Sequence, residues 1–271
     1  SYSINPKSEM YKLPAMYVGE YAERDAEATL KLWQRLNVEL HSQELMDVFN
    51  LETKLFPCLV DMRFKGVRVD LEHAANLKKN LIIRENKILS KIKELTGINV
   101  EIHAARSIAK AFDKLKLPYD RTEKSNEPSF TKNFLQNHPH ELARSIADAR
   151  EINKAHTTFI DSITKHSAKG RIHADINQIR SDQGGTVTGR FSMSNPNLQQ
   201  IPARHPEIGP MIRSIFIPEE KTVWGSFDYS QQEPRILVHY AKLQNLDGVD
   251  EIVNAYNDGD ADFHQVVADM A

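Results

Sequence analysis

At Arg171 the period of the apolar residues changes, and that change points to an α+β chain with its long helices first. Before it, Ala74, Leu77, Leu81, Ile88, Ile92 and Leu95 recur at helical spacing, as do Leu142, Ile146, Ala149, Ile152, Phe159 and Ile163. Asp70 is a natural N-cap and Gly97 a natural stop for the first of these helices. A further helix, Ala105 to Leu115, must end before Pro118, and the polar stretch from Tyr119 to Ser129 reads as an exposed loop. From Arg171 onward Ile172, Ala174 and Ile176 alternate with Arg171, His173, Asp175 and Asn177, the period of a half-buried strand. Gly184-Gly185 predicts a turn and Thr186 to Phe191 a second strand. Ser192 to Gln200, with Asn195-Pro196-Asn197, predicts a loop.

The chemistry is concentrated after Val223. Val223 to Phe227 is a short apolar run of the buried-strand type, and Ile236, Leu237, Val238 and Tyr240 begin an amphipathic helix. Between them, Asp228-Tyr229-Ser230-Gln231-Gln232-Glu233 would place Asp228 at a strand's C-terminal end. Two readings of Asp228 are open on these residues: a helix cap with an acidic first turn, or a hard-oxygen ligand for Mg²⁺, which is usually held by one or two carboxylates plus substrate phosphates.

The neighbouring motifs bear on that choice. Thr188-Gly189-Arg190-Phe191-Ser192, Asn195 to Pro202, Asp228-Tyr229-Ser230 with Glu233 and Arg235, and Asp262-Phe263-His264 follow one another in an order that resembles the palm of a family A DNA polymerase. The resemblance is dense from Arg171 to Ala271 and thinner back to Tyr21. It departs from the usual pattern at Phe191, Met193, Gln200 and Pro234, and the Gln232-Glu233-Pro234-Arg235 form is nearer to the bacteriophage branch. Pro234 suits the first turn of a helix, where its missing N–H is not needed.

The resemblance implies a partial right-hand architecture, mainly helical thumb plus antiparallel palm sheet. Residues 1–45 would be the C-terminal tail of a 3'-5' exonuclease domain, 46–70 the connection, 71–168 the thumb, 169–248 the first part of the palm and 249–271 the start of the fingers. The activity implied is template-directed deoxynucleotidyl transfer. Asp228 and the Tyr229 carbonyl would hold two Mg²⁺ ions, Glu233 would exclude a 2'-hydroxyl, and His264 would help bind the triphosphate. Arg190, Asn197, Gln199, Gln200 and Arg204 would contact primer and template. Asn and Gln amides suit the minor-groove acceptors that every base pair presents. Tyr21 and Asp25, neighbours at i and i+4, resemble the last exonuclease motif. On the residues alone they read equally as a Tyr at a packed rim beside a solvated Asp, on a helix whose buried face carries Ala22, Ala26, Leu30 and Trp33.

Composition enters as a limit. A formal charge of −2 does not announce a nucleic-acid binder, so any basic surface has to be local. Lys124, Lys132, Arg144, Arg150 and Lys154 are the thumb cations that could reach phosphate, although solvated helix faces look the same. The single cysteine, Cys58, excludes a disulfide framework and lies in an apolar run, which predicts a buried thiol. No stretch approaches a membrane span, there is no signal segment, and the resemblance implies the cytoplasm of a bacterial or phage-infected cell. The chain starts at Ser1 and stops inside a periodic helix at Ala271, so it reads as a fragment. By resemblance, a Lys/Tyr fingers helix and a His-Asp-Glu turn should follow, and without them the chain alone should not polymerise. Primer–template DNA, deoxynucleoside triphosphates and the rest of the polymerase are then the expected partners. The alternatives are one half of a split polymerase and a catalytically silent DNA-binding module, the latter disfavoured by the joint retention of Asp228, Glu233 and His264.

Overall fold

The computed structural model describes residues 9–181, 184–203, 205–259, 262 and 265. The chain divides into two compact units, one up to Ile217 and one from Pro218. The architecture is α+β: long helices with small antiparallel sheets.

In the first unit, α1 (Ala15–Ser42) and α2 (Met46–Lys65) lead to β1 (Val67–Arg68) and then to α3 (Leu71–Thr96). The predicted signals of α3 operate: the Asp70 carboxylate accepts the His73 N–H at 2.8 Å, and Gly97 ends the helix in the left-handed region at φ +67°. After α4 (Ala105–Lys114) come β2 (Asp120–Arg121), β3 (Pro128–Ser129), α5 (Lys132–Asn137) and α6 (Glu141–Lys154). The backbone stays helical from α6 through one π-helical turn, Ala155–Ile160, into α7 (Asp161–His166). That wider turn advances the buried stripe by one residue, so Ile160 rather than Phe159 is fully buried.

Two apolar cores lie along these helices. Leu77, Leu81, Ile160, Ile163, Ile172, Ile212 and Ile215 belong to one, and Ile92, Ile108, Phe112, Leu135, Leu142 and Ile146 to the other, with Ile88 of α3 packed on both. After α7, β4 (Ser167–Ala168) and β5 (Arg171–Ile172) form a hairpin through Lys169-Gly170, both at positive φ as a two-residue turn requires, and β5 also pairs with β1. Then β6 (Asp175–Asn177) pairs antiparallel with β7 (Ser192–Ser194) in the register Asp175↔Ser194, Ile176↔Met193, Asn177↔Ser192. The 3₁₀ turn Leu198–Gln200 and α8 (Ile208–Arg213) complete the unit.

The second unit holds α9 (Gln232–Leu243) and α10 (Val249–Asn257), packed through Val238, Val249 and Tyr256. An ion pair, Lys242 to Asp250, joins them outside that core.

Several expectations are corrected. Val223–Phe227 is not a buried strand: Val223 is 88% and Phe227 96% exposed, because no strand among the described residues of this unit offers its backbone a partner. Asp228 therefore follows irregular chain rather than a strand. Thr186 to Phe191 is not the second strand. Pairing falls instead on Ser192–Ser194, where Asn177 Nδ2 reaches Ser192 and Ser194 Oγ at 3.4 and 3.3 Å. The Tyr119–Ser129 stretch closes as a hairpin, Asp120↔Ser129 and Arg121↔Pro128. α1 forms as predicted but buries no residue, Leu30 and Trp33 included, since its packing is confined to contacts such as Trp33 on Phe49. Cys58 is exposed, on the outer side of α2, whose one buried residue is Leu59.

Candidate active site

The second unit builds the approach to α9 from three contacts. Gln231 adopts the left-handed conformation at φ 52°, ψ 43°, which turns the chain from Asp228-Tyr229-Ser230 into the helix. Arg235 Nε donates to the Ser230 carbonyl at 3.0 Å, and its guanidinium lies 4.5 Å from the centre of the Tyr256 ring. Tyr256 O–H in turn donates to Gln231 Oε1 at 3.3 Å. Arg235 and Tyr256 thus fix the residues next to Asp228 without using Asp228 itself. Asp228 and Tyr229 are exposed, and Glu233 is exposed in the first turn of α9. A groove of about 580 Å³ runs beside them, lined by Tyr229, Ser230, Gln232, Arg235, Ile236 and His239.

The Asp228 carboxylate and the neighbouring Tyr229 carbonyl are hard oxygen donors, the kind that suits Mg²⁺, and one or two carboxylates are enough where substrate phosphates supply the rest. No cluster of three or more His, Cys, Asp or Glu residues with metal-binding arrangement occurs among the described residues. The donor set fits in kind. His264 lies outside the described residues.

The first unit contains the other predicted contacts. Asn197 Oδ1 accepts the Gln199 N–H at 3.0 Å and so caps the 3₁₀ turn. Gln199 spends both ends of its amide on the loop: Nε2 donates to the Phe191 carbonyl at 3.1 Å, and Oε1 accepts the Met193 N–H at 3.2 Å. Gln200 is exposed at the end of that turn. Arg190 is exposed, its carbonyl accepting from Thr186 Oγ1. Arg204 lies outside the described residues. The turn packs over α7 and the π-helical turn around a cavity of about 70 Å³ lined by Phe159, Ile163, Pro196 and Leu198. Tyr21 and Asp25 stand exposed on α1.

Several residues that matter here escaped the sequence reading. Asn195 Nδ2 donates to Asp175 Oδ2 at 3.0 Å, and Asp175 Oδ1 meets Arg63 of α2 at 2.6 Å, which anchors the upstream end of the loop. Arg84 of α3 takes Glu207 in a two-pronged pair at 2.6 and 3.1 Å, and these hydrogen bonds hold Glu207 below the ordinary carboxylate range. Burial acts upward on Glu151, yet hydrogen bonds from Lys132 and His205 leave it below that range. Asp148 is pushed up by burial and then by the charge of Glu151. Arg63–Asp175, Arg84–Glu207 and Glu151–His205 join positions more than 50 residues apart, and sequence spacing carries no signal for them.

Among the cations between Lys124 and Lys154, Arg150 turns inward: Nε donates to the Ile102 carbonyl at 2.6 Å and Nη1 to the Phe130 carbonyl at 2.8 Å, and burial lowers its affinity for the proton. Lys132 is engaged by Glu151 at 2.9 Å, and Lys154 lies 5.7 Å from the centre of the Phe159 ring.

Comparison with known proteins extends the picture. The sequence profile of DNA polymerase family A matches residues 71–271. The DNA-directed DNA polymerase of Pseudomonas phage M6 is 36% identical over all of this chain and 43% of its own length. The thermostable DNA polymerase I of Thermus filiformis is 33% identical over 85% of this chain and 28% of its own. Among solved structures, the POL domain of Pol1 from M. smegmatis in complex with DNA primer-template and dNTP superposes with a TM-score of 0.59 at 25% identity, covering 70% of this chain and 34% of that one. The chain thus spans less than half the length of the relatives it matches.

Proposed function

The chain belongs to DNA polymerase family A, and from that premise we propose that it supplies the thumb, 71–168, and the first part of the palm, 169–248, of an enzyme that copies DNA. Residues 1–45 then derive from a 3'-5' exonuclease domain, with Tyr21 and Asp25 its remnant, 46–70 connect the two, and 249–271 begin the fingers. The substrates are primer–template DNA and deoxynucleoside triphosphates. In each cycle the primer 3'-hydroxyl gives up its proton to solvent as its oxygen bonds to the α-phosphorus, the bond from that phosphorus to the bridging oxygen of the β-phosphate breaks, and pyrophosphate leaves with that electron pair.

The observation that carries this reading is Asp228: an exposed carboxylate placed directly before α9, on a segment that Arg235 and Tyr256 fix from behind. The N-cap position of α9 is taken by Gln231, so Asp228, three residues upstream, does not stand where a cap would. Asp228, with the Tyr229 carbonyl, would hold Mg²⁺. Magnesium bound there supplies positive charge for the attacking and leaving oxygens. Glu233, one turn on, closes the sugar site against a 2'-hydroxyl, so rejection of ribonucleotides rests on an imposed clash. His264 aids binding of the triphosphate. Asn197, Gln200, Arg190 and Arg204 would contact the primer–template, and Gln199 supports that surface by pinning Phe191 and Met193.

The test is Asp228→Asn in the full-length protein. Asn keeps the shape and loses the charge, so primer–template affinity, governed by cations, should stay near the parent. Single-nucleotide incorporation should fall by at least about 10²–10³, the usual cost of one lost preorganised electrostatic contact. Extension within a few-fold of the parent would remove Asp228 from the catalytic centre.

A further inference from the structure

Just after the Asn197–Gln200 turn, the chain is tied to two helices through two nearby residues. His205 Nε2 lies 2.9 Å from Glu151 Oε2 on α6, while its Nδ1 lies 3.2 and 3.0 Å from the backbone nitrogens of Glu207 and Ile208. Both of those backbone groups are donors, so Nδ1 accepts and the ring proton sits on Nε2, donated to Glu151. Glu151 presents this oxygen in a fixed position, because its other oxygen takes Lys132 Nζ at 2.9 Å and Gln136 Nε2 at 3.2 Å. Two residues on, Glu207 is held by Arg84 of α3. Arg213 Nε donates to the Pro202 carbonyl at 3.1 Å and closes the segment between them, while Ile208 and Ile212 bury its inner side.

The upstream end of the loop is anchored separately, through Asn195, Asp175 and Arg63. Among the described residues, His205 is the one ring that uses one nitrogen to order its own segment and the other to reach a long helix of the thumb region.

We propose that His205 is a positioning residue for primer–template binding: by joining α6 through Glu151 to the chain that follows Asn197–Gln200, it fixes the height of that loop against the helices. The inference rests on the polymerase reading of the loop. His205 itself touches neither DNA nor nucleotide, and its two nitrogens divide the work. The Nδ1 contacts stabilise the turn into α8, and the Nε2 contact sets the loop.

Two substitutions in the full-length protein separate these roles. His205→Gln places an amide where Nε2 stood and keeps the donor to Glu151, but loses the Nδ1 acceptor. His205→Asn places an acceptor where Nδ1 stood and loses the link to Glu151. Primer–template affinity is read by equilibrium fluorescence anisotropy, the incorporation rate of the saturated complex by rapid quench, and the thermal midpoint by circular dichroism. His205→Asn should weaken primer–template binding about ten-fold, the lower end for one charge-assisted hydrogen bond, with the incorporation rate at saturation unchanged. His205→Gln should bind within about two-fold of the parent although its thermal midpoint falls more than that of His205→Asn. Parental affinity in His205→Asn overturns the proposal. So does affinity that follows the thermal midpoint in both variants, which would make the histidine merely structural. A parent that binds no primer–template overturns the polymerase reading, and the inference with it.

Discussion

Asp228, Glu233 and Arg235 lie within eight residues of sequence and do different things. Arg235 is spent on structure, since its Nε holds the Ser230 carbonyl and its guanidinium covers Tyr256. The carboxylates on either side of the αL residue Gln231 are left at the surface. Glu233 is the residue whose removal should separate selectivity from chemistry. In the full-length protein Glu233→Ala is expected to lower the preference for deoxy- over ribonucleotides by about ten-fold, equal to about 1.4 kcal/mol, with little change in deoxynucleotide incorporation. Single-turnover incorporation of the matched pair measures the ratio, and an unchanged ratio would take Glu233 out of the sugar site.

At the scale of elements, charge pairs rather than sheets fasten the loops to the helices. Arg84 ties α3 to Glu207, Lys132 and His205 converge on Glu151, and Arg106 grips Glu127 of the β2–β3 hairpin at 3.2 and 2.7 Å. Each of these carboxyls sits below its ordinary range: hydrogen bonds from Arg84 and Arg106 lower Glu207 and Glu127, and in Glu151 burial acts upward but bonds from Lys132 and His205 together outweigh it. A group depressed in the folded state contributes stability above its unfolded pKa of about 4.3, and loses it as pH falls through the lower folded value. Asp148 is shifted the other way, so its contribution opposes folding once the unfolded carboxyl ionises. Glu141, bonded to Lys91, is depressed as well, and four depressed carboxyls against one raised predict net acid lability. The thermal midpoint of the chain should fall between about pH 5 and pH 3. Arg84→Gln should flatten part of that fall, and a variant with the parental acid profile would show that the Arg84–Glu207 pair is already screened by water.

For the whole molecule, the first unit is stabilised by two cores strung along α3 and the α6–α7 helix rather than by one. Phe112 is the largest side chain fully buried in the second core, with rings of Tyr119, Phe130, Phe134 and His138 within 6.2 Å of its own. Phe112→Ala should therefore cost about 3–5 kcal/mol, the usual range for a buried aromatic replaced by Ala. Denaturant titration followed by helix signal measures this directly. A loss below about 1 kcal/mol would mean that the hairpin and α5 close over the space. Among the described residues of the second unit, only Val238, Val249 and Tyr256 are buried, around its small core, and α9 carries Ile236, Leu237 and Tyr240 exposed. Among the described residues no helix is long and apolar enough to cross a membrane.

The sequence by itself determined the elements whose signals are local. α3 was legible from Asp70, Gly97 and one apolar stripe, α9 from its amphipathic run with Pro234 in the first turn, and the change to strand at Arg171 from a two-residue period. The order of motifs carried the family, because each motif is contiguous. Only the tertiary structure decided which apolar runs are buried: Val223–Phe227, the α1 stripe and Cys58 all read as interior, and all lie outside. Hydrophobicity states what a segment could bury, whereas burial needs a partner surface, and a strand also needs a neighbour for its backbone. The same holds for the polar anchors. Arg63–Asp175, Glu151–His205 and Arg84–Glu207 are pairs between distant positions, created by how α2, α3 and α6 pack, and no periodicity encodes them.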